Sequence, residues 1–187
     1  MVPIAVLELK AYLAYNRVNL NQGNTLVASE DFRRGMAKFA TGVTLFTTVD
    51  DEDKVHAMTA NALTSVCLDP PLVLVCVAHS SNSYGFVERR GRFGTSILRD
   101  DQRNVGEYYA RNSADRDGKI GWSFVINESG YPVLEGALAF FGCKVVSSYV
   151  HGDHTIYVAE VEELSLSGSG QPLLFFDSHF KVISGDG

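Results

Sequence analysis

The residues best suited to chemistry gather in three short stretches. The first is His151-Gly152-Asp153-His154. Gly152-Asp153 reads as a two-residue hairpin loop of the kind that wants glycine first. That loop sets His151 and His154 opposite each other, with side chains on one sheet face. Such a pair could be two metal ligands completed by a carboxylate, a proton- or hydrogen-bond-active histidine at a barrel rim, or a solvated turn. No third convergent ligand is visible in the sequence. The second stretch, Met58-Thr59-Ala60-Asn61-Ala62-Leu63-Thr64-Ser65-Val66, puts small and hydroxylic residues where a strand usually carries bulk. Small side chains let a flat ligand approach the main chain, and Asn61, Thr64 and Ser65 can hydrogen-bond it. The same residues also suit a strand end turning a barrel corner, with hydroxyls bonded to neighbouring backbone. The third, Ala78-His79-Ser80-Ser81-Asn82-Ser83, offers hydroxyls at a possible helix start, which suits a phosphate. Ordinary capping by Ser81 explains it equally well. His56, His79 and His179 stand singly and read as surface or loop residues.

Several common chemistries are missing. The chain has no GxxxxGK[ST] phosphate loop, no GxGxxG between a strand and a helix, no GxSxG elbow, no HExxH and no paired CxxC. A nucleotide or cofactor would therefore have to be held by backbone amides and hydroxyls on a barrel.

The elements that must position these residues are mostly strands. Runs rich in Val, Phe, Tyr and Thr occur at 43–49, 55–59, 72–77, 93–98, 137–150, 155–161 and 173–176, with polar turns between them. Asp69-Pro70-Pro71 feeds the third run directly, because neither proline can donate a hydrogen bond. Ser29 is the expected cap of a helix with Glu30 and Asp31 in its first turn, Phe32, Met36, Phe39 and Ala40 on one face, and Gly42 as its stop. Two further helical segments are expected at 83–90 and 102–111. Strands joined by short turns, without crossover helices, favour a closed or half-closed antiparallel barrel over a parallel doubly wound sheet. Residues 1–28 read as an extension, helical by the spacing of Ile4, Leu7, Ala11, Tyr15 and Val18, that packs on its own domain or, as we favour, on a second subunit. Residues 29–187 form the main domain.

Composition bounds the partners. The 187 residues are 45% hydrophobic and 20% charged, so a full core can be buried. The net charge of −6 argues against nucleic acid or an anionic membrane surface as main partner. No apolar run approaches the roughly 20 residues that a membrane span needs. Met1 to Leu7 is apolar but has no preceding basic residue and makes a poor signal peptide. The three cysteines, Cys67, Cys76 and Cys143, lie in apolar stretches and read as buried thiols of a reducing cytoplasm.

Taken in order, the segments resemble one family, the short-chain NAD(P)H:flavin oxidoreductases that serve two-component flavin-dependent monooxygenases. The matching stretches are Phe32-Arg33-Arg34-Gly35-Met36-Ala37-Lys38-Phe39-Ala40-Thr41-Gly42-Val43-Thr44, the 58–66 stretch, and Leu68-Asp69-Pro70-Pro71-Leu72-Val73-Leu74. Further on come Gly91-Arg92-Phe93-Gly94, Leu134-Glu135-Gly136-Ala137-Leu138-Ala139, Gly152-Asp153-His154-Thr155-Ile156 and Pro172-Leu173-Leu174-Phe175-Phe176.

The resemblance implies a mainly β fold, an antiparallel Greek-key FMN-binding split barrel, and a homodimer with its flavin near the subunit interface. It implies that Val55, His56, Ala57, Met58, Thr59, Asn61 and Ala62 line the isoalloxazine. Cys76, Val77, Ala78, His79, Ser80, Ser81, Asn82 and Ser83 would reach the ribityl chain and phosphate, and Arg92, Phe93 and Gly94 would border the same pocket. His154 matches the histidine that the family places near the nicotinamide, whereas His151 matches no fixed position. Where the family commonly reads Val-Asn after Arg-Phe-Gly, this chain has Thr95-Ser96, which puts the hydrogen bond at Ser96 in doubt. The implied activity is hydride transfer from NADH, or NADPH, to FAD or FMN, with reduced flavin diffusing to a partner monooxygenase. The alternatives are a non-enzymatic flavin carrier or sensor on the same barrel, and a monooxygenase acting alone.

Overall fold

The computed structural model describes residues 27–118, 121–167 and 169–183. They fall into two units, 27–38 and 39–183. The expected helix in the N-terminal extension lies outside the described residues.

The first unit holds α1, Ser29–Met36. Glu30 and Asp31 occupy its first turn as expected, but Ser29 is not its cap. Ala28 takes the extended cap conformation (φ −66°, ψ 144°), and its carbonyl accepts from the Phe32 N–H at 3.0 Å. The helix also ends early. The Ala37 and Lys38 N–H groups close on the Arg33 and Gly35 carbonyls, so Phe39 and Ala40 lie outside it. Gly42 does not stop the helix; it belongs to strand β1 (Thr41–Gly42).

In the second unit, strands β2 (Thr44–Val49), β3 (Val55–Ala60), β4 (Leu63–Leu68) and β5 (Pro71–Ala78) lead into helix α2 (Asn82–Arg90). Strand β6 (Arg92–Ile97), helix α3 (Arg103–Tyr109) and the short hairpin β7 (Phe124–Ile126) and β8 (Pro132–Leu134) follow. The long ribbon β9 (Ala139–His151) and β10 (His154–Leu166) precedes β11 (Leu174–Phe176) and β12 (His179–Lys181). Seven strands form one antiparallel sheet in the order β3-β2-β6-β9-β10-β5-β4. Its two edge strands are consecutive in sequence, joined only by Asn61 and Ala62. Curling brings both edges onto one core: Met58 and Ala60 of β3 and Leu63 of β4 pack with Phe46, Val75, Val77, Phe93 and Tyr157. Among the described residues no ladder joins β3 to β4, so the barrel is split along that seam. Bulges beside Val158 and Glu163 bend the β9–β10 ribbon.

A second core lies on the outer face of β2, where Val43, Leu45, Ala57, Leu98, Val105, Leu134 and Leu173 gather. It fastens α3, the β7–β8 hairpin and the β11 segment to the barrel. Thr47 donates from Oγ1 to the Pro132 carbonyl at 2.8 Å and links β2 to β8. Gly94 makes this approach possible, because a Cβ there would lie 2.5 Å from Thr47 Oγ1 and 2.9 Å from the Phe140 ring.

The cysteines differ from expectation. Cys143 is buried and its thiol is pushed up to about 12 by desolvation, but Cys67 and Cys76 are only partly buried. Cys76 faces outward because Val75 and Val77 take the barrel side of β5.

Gly94→Ala overpacks the β6–β8 contact and is expected to cost about 1–3 kcal/mol. Urea unfolding checks this as a lower midpoint with an unchanged slope.

Candidate functional site

The free edge of β3 forms one wall of a cleft of ≈ 290 Å³. His56, Ala57, Met58 and Thr59 line that wall. The turn into α2 supplies Ser80, Ser81, Asn82 and Ser83, and the chain after α3 supplies Tyr109, Arg111, Ser113 and Arg116. An apolar recess of ≈ 210 Å³, lined by Val43, Ala60, Asn61, Phe175 and Phe180, shares Thr59 and Ala110 with it.

Each wall is held by short bonds. Ser81 is the cap of α2, as one reading of its sequence suggests: its hydroxyl accepts from the Ser83 N–H at 3.2 Å and donates to Met58 Sδ at 3.1 Å. Asn82 Nδ2 donates to Ser113 Oγ at 2.8 Å, and Thr59 Oγ1 donates to the Gly106 carbonyl at 2.7 Å. Arg116 draws the third wall in. Its guanidinium donates to the carbonyls of Ala57 (3.1 Å), Tyr109 (3.2 Å) and Arg111 (2.9 Å) and lies 4.9 Å from the Tyr109 ring centroid. At the cleft's end the His56 ring stacks on Phe86, and its Nε2 donates to Asp50 Oδ2 at 2.8 Å. That bond, with those from the Lys54 and Glu52 N–H groups, holds the Asp50 carboxyl down at about 2.

His154 stands on the β9–β10 hairpin tip. His151 and His154 pair across Gly152 (φ +60°) and Asp153, as the glycine-first loop predicts. Nδ1 of His154 donates to Asp153 Oδ1 at 2.7 Å, and this bond lowers the Asp153 carboxyl from its ordinary range. The tip adjoins the cleft's α2 wall, since His154 pairs with Ala78 and the His79 N–H donates to the Asp153 carbonyl at 2.9 Å. Nε2 of His79 meets Thr155 Oγ1 at 3.0 Å, and its ring tilts against Tyr84. Among the described residues no group of three or more His, Cys, Asp or Glu side chains gathers to hold a metal.

The structure thus brings together His56, Ala57, Met58, Thr59, Ser80, Ser81, Asn82 and Ser83, with Asn61 in the adjoining recess. It does not bring the β6 residues there. Arg92 and Phe93 line a separate cleft, and Phe93 fills the barrel core. Gly94 lies beneath Pro132 and Phe140, and Ser96 is completely buried with no hydrogen-bond partner for its hydroxyl among the described residues. The reason is that β6 is a central strand, covered on both faces. Val77 is likewise a core residue, while Val55, Ala62, Cys76 and Ala78 line neither the cleft nor the recess. Arg116, Tyr109 and Phe175 are additions to the expected lining. Arg116 leaves no sequence signal because its acceptors are main-chain carbonyls.

The residues present suit a flavin. Small side chains along the partly covered edge of β3 admit a flat ring, and hydroxyls and amides at the start of α2 suit a phosphate. Comparison with known proteins agrees. The flavin reductase like domain family matches residues 36–184, and the chain belongs to that family. An NADH-dependent flavin reductase of Rhodococcus is 42% identical over 154 residues, 81% of this chain and 84% of the relative. The styrene monooxygenase flavin reductase of Pseudomonas putida S12 matches with TM-score 0.75 and 36% identity, over 82% of this chain and 97% of that one. A Streptomyces globisporus NADH:FAD oxidoreductase, in complex with NAD and FAD fragments, matches with TM-score 0.77 and 32% identity, over 87% and 99%.

Two outcomes follow from this geometry. Arg116→Ala releases the third wall, and flavin affinity should fall about tenfold while the unfolding midpoint shows the barrel intact; equilibrium titration of flavin fluorescence measures it. Asp50 sits at about 2 when folded against an ordinary 3.8, so its contribution is complete above that ordinary value and is lost as pH falls toward 2. Asp50→Asn should flatten the acid limb of the stability profile over that interval, measured by urea unfolding at stepped pH.

Proposed function

We propose that this protein is an NAD(P)H:flavin oxidoreductase that reduces FAD or FMN with NADH and supplies the reduced flavin to a partner monooxygenase. The observation that carries the reading is the cleft on the free edge of β3, with hydroxyls at the start of α2 and a histidine-bearing hairpin beside it. The bound flavin and nicotinamide supply the hydride chemistry; the chain supplies binding and orientation. The main chain of β3 and the small side chains of Ala57 and Thr59 would hold the ring, and Ser80 to Ser83 the phosphate end. Val55 opens β3, Ala62 follows its end, and Cys76, Val77 and Ala78 lie on β5 ahead of the turn into α2.

His154 would meet the nicotinamide donor. An ionised Asp153 accepts only, so Nδ1 of His154 keeps its proton and Nε2 is left to contact the donor. That suits orientation of a carboxamide or balance of charge, and hydride transfer itself needs no obligatory base. The relatives support the partner. The Pseudomonas putida protein is the flavin reductase of a styrene monooxygenase, and a Mycobacterium tuberculosis relative, 35% identical over 154 residues, is the reductase subunit of a flavin-dependent monooxygenase.

A homodimer is supported by exposed apolar side chains on the ribbon and on edge strand β4, among them Val66, Leu68, Tyr149, Val150, Leu164 and Leu166. Free cysteines suit a reducing cytoplasm. No described helix is long and apolar enough to cross a membrane.

Loss of NADH absorbance on adding FMN or FAD, without oxygen, tests the reading. Reduction under these conditions supports a reductase, and bound flavin without NADH consumption would mean a carrier. His154→Ala is expected to raise the NADH Michaelis constant and slow flavin reduction about tenfold or more, with flavin binding retained. Equal constants in mutant and wild type would remove His154 from the site.

A further inference from the structure

We propose that His79 is a positioning residue: it ties the histidine-bearing tip of the β9–β10 hairpin to the end of β5 and so fixes where His154 stands beside the cleft. The consequence for the reaction rests on the flavin reductase reading, whereas the tie itself is a matter of geometry. The resemblance implies a place for His79 at the ribityl chain and phosphate, but its side chain lines neither the cleft nor the recess.

Strand register turns it elsewhere. Side chains alternate along β5, and Val75 and Val77 take the barrel side. Across the ladder Thr155 pairs with Val77 and shares that face, where it is 1% exposed. His79 follows Val77 by two residues and stays on the same side. Its Nε2 meets Thr155 Oγ1 at 3.0 Å, and its ring tilts at 41° against Tyr84 with 4.6 Å between centroids.

Two bonds hold the tip. The His79 N–H donates to the Asp153 carbonyl at 2.9 Å, a bond that any residue but proline can make. The side-chain bond to Thr155 is the one that depends on residue type. A buried hydroxyl needs a partner, so this bond steadies the start of β10, and His154 is the residue before Thr155. Asp153, whose carbonyl His79 fixes, also accepts from Nδ1 of His154 and so orients that ring. The α2 wall of the cleft does not depend on His79. Ser81 bonds to Met58, Asn82 to Ser113, and Tyr157 of β10 donates to Glu88 of α2. Loss of the His79 ring therefore loosens the donor side and leaves the flavin side in place.

Two measurements on the full chain test this. His79→Ala should speed amide exchange at residues 151–155 about fivefold and raise the NADH Michaelis constant by a similar factor, with FMN affinity unchanged. His79→Gln, whose side-chain nitrogen takes the place of Nε2, should restore both. Thr155→Val keeps the shape, removes the hydroxyl and should match His79→Ala, and the double variant should lose no more than either single one. Added to His154→Ala, His79→Ala should change the NADH constant no further. Equal exchange in wild type and His79→Ala, additive losses in the double variant, or weaker FMN binding with the NADH constant unmoved would each overturn the proposal. A wild type that consumes no NADH would sink the reductase reading instead, and the exchange comparison would still decide the tie.

Discussion

A β-strand at the edge of a sheet carries a row of backbone groups that need partners. Strand β3 has β2 on one side and, among the described residues, no strand on the other. Its outer edge is not left bare: Arg116 takes the Ala57 carbonyl, and the chain after α3 comes close enough to form a wall. The cleft exists because this covering is partial. A helix or strand along the whole edge would close it, and removal of the cover would leave an open seam prone to pairing with another chain. Main-chain polarity beside small side chains is what a flat heteroaromatic ring can use, without a glycine-rich phosphate loop.

The remaining architecture follows from keeping that edge open and steady. Consecutive edge strands joined by two residues make the split, and the second core under α3 and β8 stiffens β2 behind it. Gly94 permits the close packing on that side. On the other side, β5 and β10 carry the turn into α2 and the histidine hairpin as neighbours in one ladder. The phosphate-suited hydroxyls and His154 are therefore mounted on adjacent strands, although 71 positions separate Ser83 from His154 in the numbering.

Much of this was legible in the sequence where both faces of an element are constrained. Strands β2 and β5 carry unbroken apolar or β-branched runs, and β2, β5, β6 and β9 each lie within two residues of their expected bounds. The stretch that holds strand β4 reads as a ligand-facing segment or a strand end turning a corner, because Thr64, Ser65 and Val66 face solvent and leave no alternation. The three-residue strands β7, β8 and β12 are too short to carry a period. Capping by Ser81 was legible because the bond spans two residues. The helix cap was misread at Ser29 because its residue type suits a cap, whereas the chain turns at Ala28. Within the site, His56 to Thr59 and Ser80 to Ser83 converge on one cleft. The β6 residues do not, since their segment resembles the family but its place in the middle of the sheet is a property of the whole fold.

The β9–β10 ribbon has a consequence for how such a protein can diverge. Its tip, residues 151–154, carries the histidine but none of the cleft lining, and it joins the barrel through the β5 ladder. Under the proposed function, changes at that tip alter which reductant is accepted while the wall proposed for the flavin stays untouched. On that reading, selectivity for the electron source and affinity for the electron acceptor are inherited on separate pieces of chain.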